Sequence, residues 1–128
     1  MIDDDDDDDE EREEAEEKGR KKAGKIRLIL STCPEDKAEE LARHLVEGRY
    51  AACVNIVPLV RSIYRWQGRV ETQAESLLVA KCAKRAAKRA MEALREKHPY
   101  EVPEIIGLTV KGGNPDYFDW VSANSEAP

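Results

Sequence analysis

"AACVNIVPLVRSIYRWQGRVETQAESLLVAKC", residues 51–82, consists of two runs rich in β-branched and aromatic residues with Gln67-Gly68 between them. Such runs around a short Gly-containing break predict a β-hairpin with a tight turn. Each arm is roughly twice the usual strand of about five or six residues. Pro58 has no amide hydrogen for a ladder bond, so it marks a bulge or an edge position. The hairpin is also too apolar for its surroundings. Ile56, Val60, Ile63, Leu77 and Val79 cannot all be covered by the helices of one short chain, which predicts that other copies of the chain cover them.

Upstream, "KIRLILSTC" (Lys25 to Cys33) alternates and then becomes almost wholly apolar, as a strand buried on both faces does. Pro34 ends it. "PEDKAEELARHLVEGR" then places Ala38, Leu41, Ala42 and Leu45 at helical spacing, with Glu35 and Asp36 where they complement the helix dipole. Downstream of the hairpin, "KRAAKRAMEALREKH" repeats the helical pattern, with Ala83, Ala87, Ala90 and Leu94 on one stripe and Met91 beside it. "HPYEVPEI" (His98 to Ile105) follows. Its two prolines push their neighbours out of the α region, so the segment is a stiff, extended connector. "EIIGLTV" (Glu104 to Val110) is a fourth strand, and Asn114-Pro115 open a short C-terminal helix. The order β-α-β-β-α-β with a terminal helix is the ferredoxin-like α+β arrangement, with both helices on one face of a four-stranded antiparallel sheet.

The chain's net charge of −6 is unevenly distributed. Residues 1–24 carry 13 acidic and 5 basic side chains, a net of −8, which leaves +2 for residues 25–128. The acidic run from Asp3 to Glu17 has little to bury and repels itself, so residues 1–24 are expected to form a disordered, solubilising tail ahead of one folded domain, 25–128. Cys33, Cys53 and Cys82 are odd in number, show no CxxC spacing and adjoin apolar runs. They are expected as reduced thiols in a cytoplasmic protein rather than a disulfide framework. No run approaches the ~20 apolar residues of a membrane span, and the N-terminus lacks the pattern of a signal peptide.

With these elements in place, residues from about Ile26 to Asn124 resemble the CutA family of divalent-cation tolerance proteins. The resemblance rests on "AACVNIVPLVRSIYRWQG" (Ala51 to Gly68, preceded by Tyr50 where the family pattern has Leu), "HPYEVPEIIGL" (His98 to Leu108) and "GNPDYFDWV" (Gly113 to Val121). It implies a PII-like fold, a homotrimer whose long hairpins reach around neighbouring subunits, and a role in tolerance of copper and other divalent metals. It also implies a copper ligand at His98. Where the resemblance has a second histidine and a strand cysteine, this chain has Lys97 and Ser31, and Cys33, two residues on and on the same face, is the candidate to complete the site. Copper(II) or another divalent cation is the expected ligand, with no organic cofactor. Competing readings are a PII-like small-molecule or signalling module and a purely structural trimeric scaffold.

Other residues carry blander expectations. His98 also stands where an imidazole would favour a helix C-terminus. His44 lies opposite the apolar stripe and is read as solvated. Tyr64 and Trp66 near the hairpin tip either line a ligand cleft or pack between subunits. Tyr117 and Trp120 are read as packing. Glu71, Glu101 and Glu104 come with no nucleophile, phosphate loop or paired histidine, so the chain is read as non-enzymatic. Lys84, Arg85, Lys88 and Arg89 form an ordinary solvated helix face rather than a nucleic-acid patch.

Overall fold

The computed structural model describes residues 5–125. Its elements are α1 (Asp5–Ala23), β1 (Ile26–Cys33), α2 (Ala38–Glu47, entered through a 3-10 turn at Glu35–Lys37), β2 (Cys53–Trp66), β3 (Arg69–Ala83), α3 (Lys84–Lys97), β4 (Ile106–Thr109) and α4 (Pro115–Ala123). The four strands form one antiparallel sheet in the order β2-β3-β1-β4. This is the ferredoxin-like order that the alternating and helical patterns predict. The fourth strand is shorter than the expected 104–110, because β4 pairs only with Arg27 to Leu30 of β1.

The principal core lies between one face of the sheet and helices α2 and α3. Leu41 and Leu45 of α2 and Ala87, Ala90 and Leu94 of α3 pack there against Ile29, Cys33, Leu78 and Cys82. A smaller cluster joins Ile26 to Phe118 and Val121 of α4 and to Ala23 of α1. On the other face, Leu28 and Leu30 share a side with Val79, Leu77, Ile106 and Leu108, since residues directly opposite in register point the same way. Ile106 and Leu108 are exposed and the other four half-buried, so among the described residues of one chain this apolar row is left without full cover.

The hairpin is long, at 14 and 15 residues per arm. Gln67 and Gly68 both have positive φ (49° and 79°), as a two-residue type I′ turn requires. A bulge interrupts the ladder between Val57, paired with Leu77, and Val60, paired with Glu75. Pro58 and Leu59 there oppose Ser76 alone, and the Leu59 amide donates to Glu35 Oε1 at 3.0 Å instead of to β3. Pro58 thus occupies both of its predicted settings, a bulge and an edge strand. The extra residue shifts the side-chain alternation by one. Before the bulge Cys53, Asn55 and Val57 face the open side; after it Val60, Ser62, Tyr64 and Trp66 do.

The N-terminal segment differs from expectation. Asp5–Ala23 is an α-helix rather than a disordered tail; Met1 to Asp4 lie outside the described residues. Arg20, Lys21 and Lys22 in its last turn suit the helix dipole. Glu16–Arg20 and Glu17–Lys21 pairs add small i,i+4 support. Its last turn docks on the fold: Ala23 is fully buried, Lys22 meets Asp119 at 2.6 Å, and Gly19 lies against the carbonyl of Gly113. Composition predicts the solvated character of residues 8–18, which are exposed, but not this docking.

Candidate functional site

A cleft of about 660 Å³ opens between the distal hairpin and the connector after α3. Strand residues Ser62, Tyr64, Trp66, Gln73 and Glu75 line one side, and Pro99 to Val102 with Glu104 the other. The bulge brings the strand residues together, because only after its shift of alternation do Tyr64 and Trp66 share a face with Gln73 and Glu75. The stiffness of the connector supplies the other wall: His98 ends α3 in extended geometry (φ −66°, ψ 134°), and Pro99 holds the chain away from another helical turn.

Inside the cleft a hydrogen-bond chain runs in one direction. The Tyr64 hydroxyl donates to Gln73 Oε1 (2.8 Å), the Gln73 amide donates to the Tyr100 hydroxyl (3.0 Å), and that hydroxyl donates to Glu75 Oε2 (2.7 Å). Burial, and then the bond to Glu75, push the Tyr100 phenol well above its ordinary value, so it stays a donor. Glu75 itself is only 4% exposed.

His98 is also buried, at 8% exposure. Its Nε2 lies 2.9 Å from the Thr32 carbonyl, which can only accept, while its Nδ1 accepts the Tyr100 amide at 3.1 Å. The two contacts fix the Nε2–H tautomer and tie the connector to β1. The ring therefore crosses to the strand instead of capping helix carbonyls. A cation at this ring would have to displace one of the two contacts. Cys33 follows Thr32 and is fully buried in the principal core. Burial, then Glu75 and Asp36, push its thiol up to about 11. Ser31, on the same side of β1, is fully buried and its hydroxyl has no hydrogen-bond partner. Among the described residues no three His, Cys, Asp or Glu side chains are close enough together to hold a metal ion.

The other candidates divide. Tyr64, Trp66, Glu101 and Glu104 line the cleft, whereas Glu71, paired with Tyr64 across the hairpin, is not among the lining residues. His44 is half-buried and lies beside Tyr50 with the rings tilted, centroids 5.9 Å apart. Tyr117 and Trp120 stack on each other at 5.7 Å on α4. Arg85 bonds the hydroxyl and carbonyl of Ser122 at the end of α4, an intramolecular role for one of the basic residues in the first half of α3. Sequence reasoning missed Glu75, Gln73 and Tyr100. The available signal was a carboxylate two residues from Leu77, in phase with the apolar face of β3.

Residues 27–124 match the family described as CutA1 divalent ion tolerance protein. The chain belongs to the CutA1 family. Protein CutA of Mus musculus is 43% identical over 105 residues, 81% of this chain, and this chain spans 59% of that protein's length. The structure of a divalent cation tolerance protein (Cut A1) from Thermus thermophilus is 45% identical with a TM-score of 0.76, covering 79% of this chain and 99% of that one. The PII-like protein CutA from Nostoc sp. PCC 7120, solved in apo form, is 35% identical with a TM-score of 0.76, covering 80% of this chain and 99% of that one. The PII-like CutA fold is thus shared, while α1 lies ahead of the residues that match the family. No helix among the described residues is long and apolar enough to cross a membrane.

The buried thiols have a measurable consequence. Burial also pushes Cys82 up to about 11, against an ordinary value of 9.0. Folding therefore favours both protonated thiols, a contribution that is complete below about pH 9 and lost as pH rises through about 11. At pH 8 only about 0.1% of such a thiol is thiolate, so iodoacetamide is expected to leave Cys33 and Cys82 unmodified in the native protein and to label both on unfolding. Peptide mass spectrometry before and after denaturant checks this.

Proposed function

We propose that this CutA1 protein serves divalent-cation tolerance in the cytoplasm as a non-enzymatic homotrimer that binds its ligand, copper or another divalent cation, without converting it. The observation that carries the reading is the apolar row Leu28, Leu30, Leu77, Val79, Ile106 and Leu108, which one copy leaves against water. A second copy of the same row is its natural cover, and closed symmetry limits the number of copies. Three free cysteines are in keeping with a reducing compartment. His98 with Cys33 is the pair assigned to the ion. Nδ1 of His98 becomes a ligand when the Tyr100 amide moves away, so ion binding would be coupled to the connector wall of the cleft.

Electron paramagnetic resonance of the Cu(II)-loaded protein tests the assignment, because the carboxylates of α1 can also bind Cu(II) but carry no nitrogen. The expected spectrum shows imidazole nitrogen hyperfine structure that survives His44→Ala and disappears in His98→Ala. A spectrum with oxygen ligands alone would overturn the assignment. A second reading, a PII-like small-molecule module, is favoured by the cleft itself, whose mixed aromatic and polar lining and volume suit an organic ligand.

A further inference from the structure

We propose that the acidic stretch of α1 docks on the basic outer face of α3 in a neighbouring copy and clasps the assembly from outside. The inference rests on the homotrimer reading and adds to it a contact made on the helical side of the sheet. Residues 8–18 carry eight acidic and two basic side chains and are exposed throughout. Within its own chain α1 is held at its last turn by Gly19, Lys22 and Ala23, so about 16 Å of helix runs on beyond that anchor. A helix that is polar all round is stable where it bridges to another surface or is laced with ion pairs. Among the described residues Asp8, Glu10, Glu11, Glu13 and Glu14 form no ion pair, and Glu10 and Glu14 repel each other one turn apart.

Helix α3 carries the opposite imbalance. Its alanines 87, 90 and 93 and Leu94 are buried against the sheet, while Lys84, Lys88, Arg89 and Arg95 stand exposed on the outer side. Among the described residues none of these four forms an ion pair, and Lys84 and Lys88 repel each other across one turn. From Lys84 to Arg95 the face is also about 16 Å long, the length of the acidic stretch. It lies on the helical side of the sheet, away from the apolar row. Opposite charge, equal length and a shared lack of partners select α1 as the occupant. A nucleic acid suits the face less well, since Glu92 and Glu96 stand exposed among the basic residues and α1 of the same chain would repel phosphates. Exposed ion pairs are individually weak, so the clasp forms between copies that are already joined and does not by itself join free chains.

Zero-length carbodiimide cross-linking of the full chain tests the inference, because it joins carboxylates to lysines that are in contact. Multi-chain products are expected to yield a peptide of α1 linked to Lys84 or Lys88, and 1 M salt, which shortens the screening length to about 3 Å, is expected to suppress it. Arg89→Glu with Arg95→Glu leaves both lysines available and is expected to lower the yield about tenfold; Glu13→Lys with Glu14→Lys is expected to do the same, and the two swaps combined in one chain to restore it. Swaps without effect, or a linked peptide confined to the single-chain product, would overturn the proposal. A DNA duplex that binds the protein when no linked peptide forms would overturn it too, giving the α3 face to nucleic acid. Light scattering on the same samples separates the two readings: a three-copy mass without the linked peptide sinks this inference alone, and a single-copy mass sinks the assembly.

Discussion

Replacing Leu30 with glutamate is expected to turn a three-copy assembly into folded single chains. Leu30 lies opposite Val79 on one side and Ile106 on the other, in the middle of the uncovered apolar row. Within one chain it is half-buried, so a glutamate there can turn its carboxylate to water at little cost. Between copies the same carboxylate would be enclosed by apolar side chains without a partner, costing several kcal/mol at each of three equivalent positions. Light scattering coupled to size exclusion at micromolar concentration should show the wild type at three times the 14.5 kDa chain mass and the variant at one. Circular dichroism should be unchanged. A variant that keeps the wild-type mass would place the interface elsewhere, and a wild-type monomer would remove the assembly.

The second large effect is expected at Gly113. Its φ of +150° is a backbone conformation that side chains rarely adopt, and a Cβ there would lie 2.5 Å from the Phe118 ring. Backbone strain of about 1–3 kcal/mol and overpacking of similar size make Gly113→Ala destabilising by about 2–5 kcal/mol. Phe118 belongs to the cluster that holds α4 and Ala23 against Ile26, and the Gly113 carbonyl is the surface on which Gly19 rests. The variant should therefore release α1 before the sheet melts. Limited trypsin digestion should cut at Arg20 and Lys21 at temperatures where the wild type resists, and calorimetry should give the lowered melting point. Unaltered protection of these sites would show that α1 docks independently of this contact.

Much of the fold was legible because its signals are local. Alternation in residues 25–33 and 51–82, helical spacing in 38–47 and 84–97, and the proline pair at 99 and 103 each constrain only near neighbours. The cleft was legible in pieces: Tyr64, Trp66, Glu101 and Glu104 are chemically conspicuous. Glu75, Gln73 and Tyr100 were not, because their importance lies in a relay that joins β2, β3 and the connector. The α1 helix was misjudged for a related reason. Its composition describes a solvated segment, and its anchorage depends on Ala23, Lys22 and Gly19 meeting the far end of the chain, with Lys22 and Asp119 separated by 97 positions.

By itself, then, the sequence determined the order of strands and helices, the hairpin turn at Gln67-Gly68, the irregularity at Pro58 and the surplus of apolar strand surface. Those properties follow from backbone sterics and side-chain periodicity within a few residues. The tertiary structure alone decided which side chains face the cleft. One extra residue at the bulge exchanges the two faces of the distal arm, and whether Pro58 and Leu59 are accommodated there depends on the opposing Ser76 and on Glu35, which takes the displaced Leu59 amide. Pairing of this kind is a property of two strands and their neighbours, not of either run of residues.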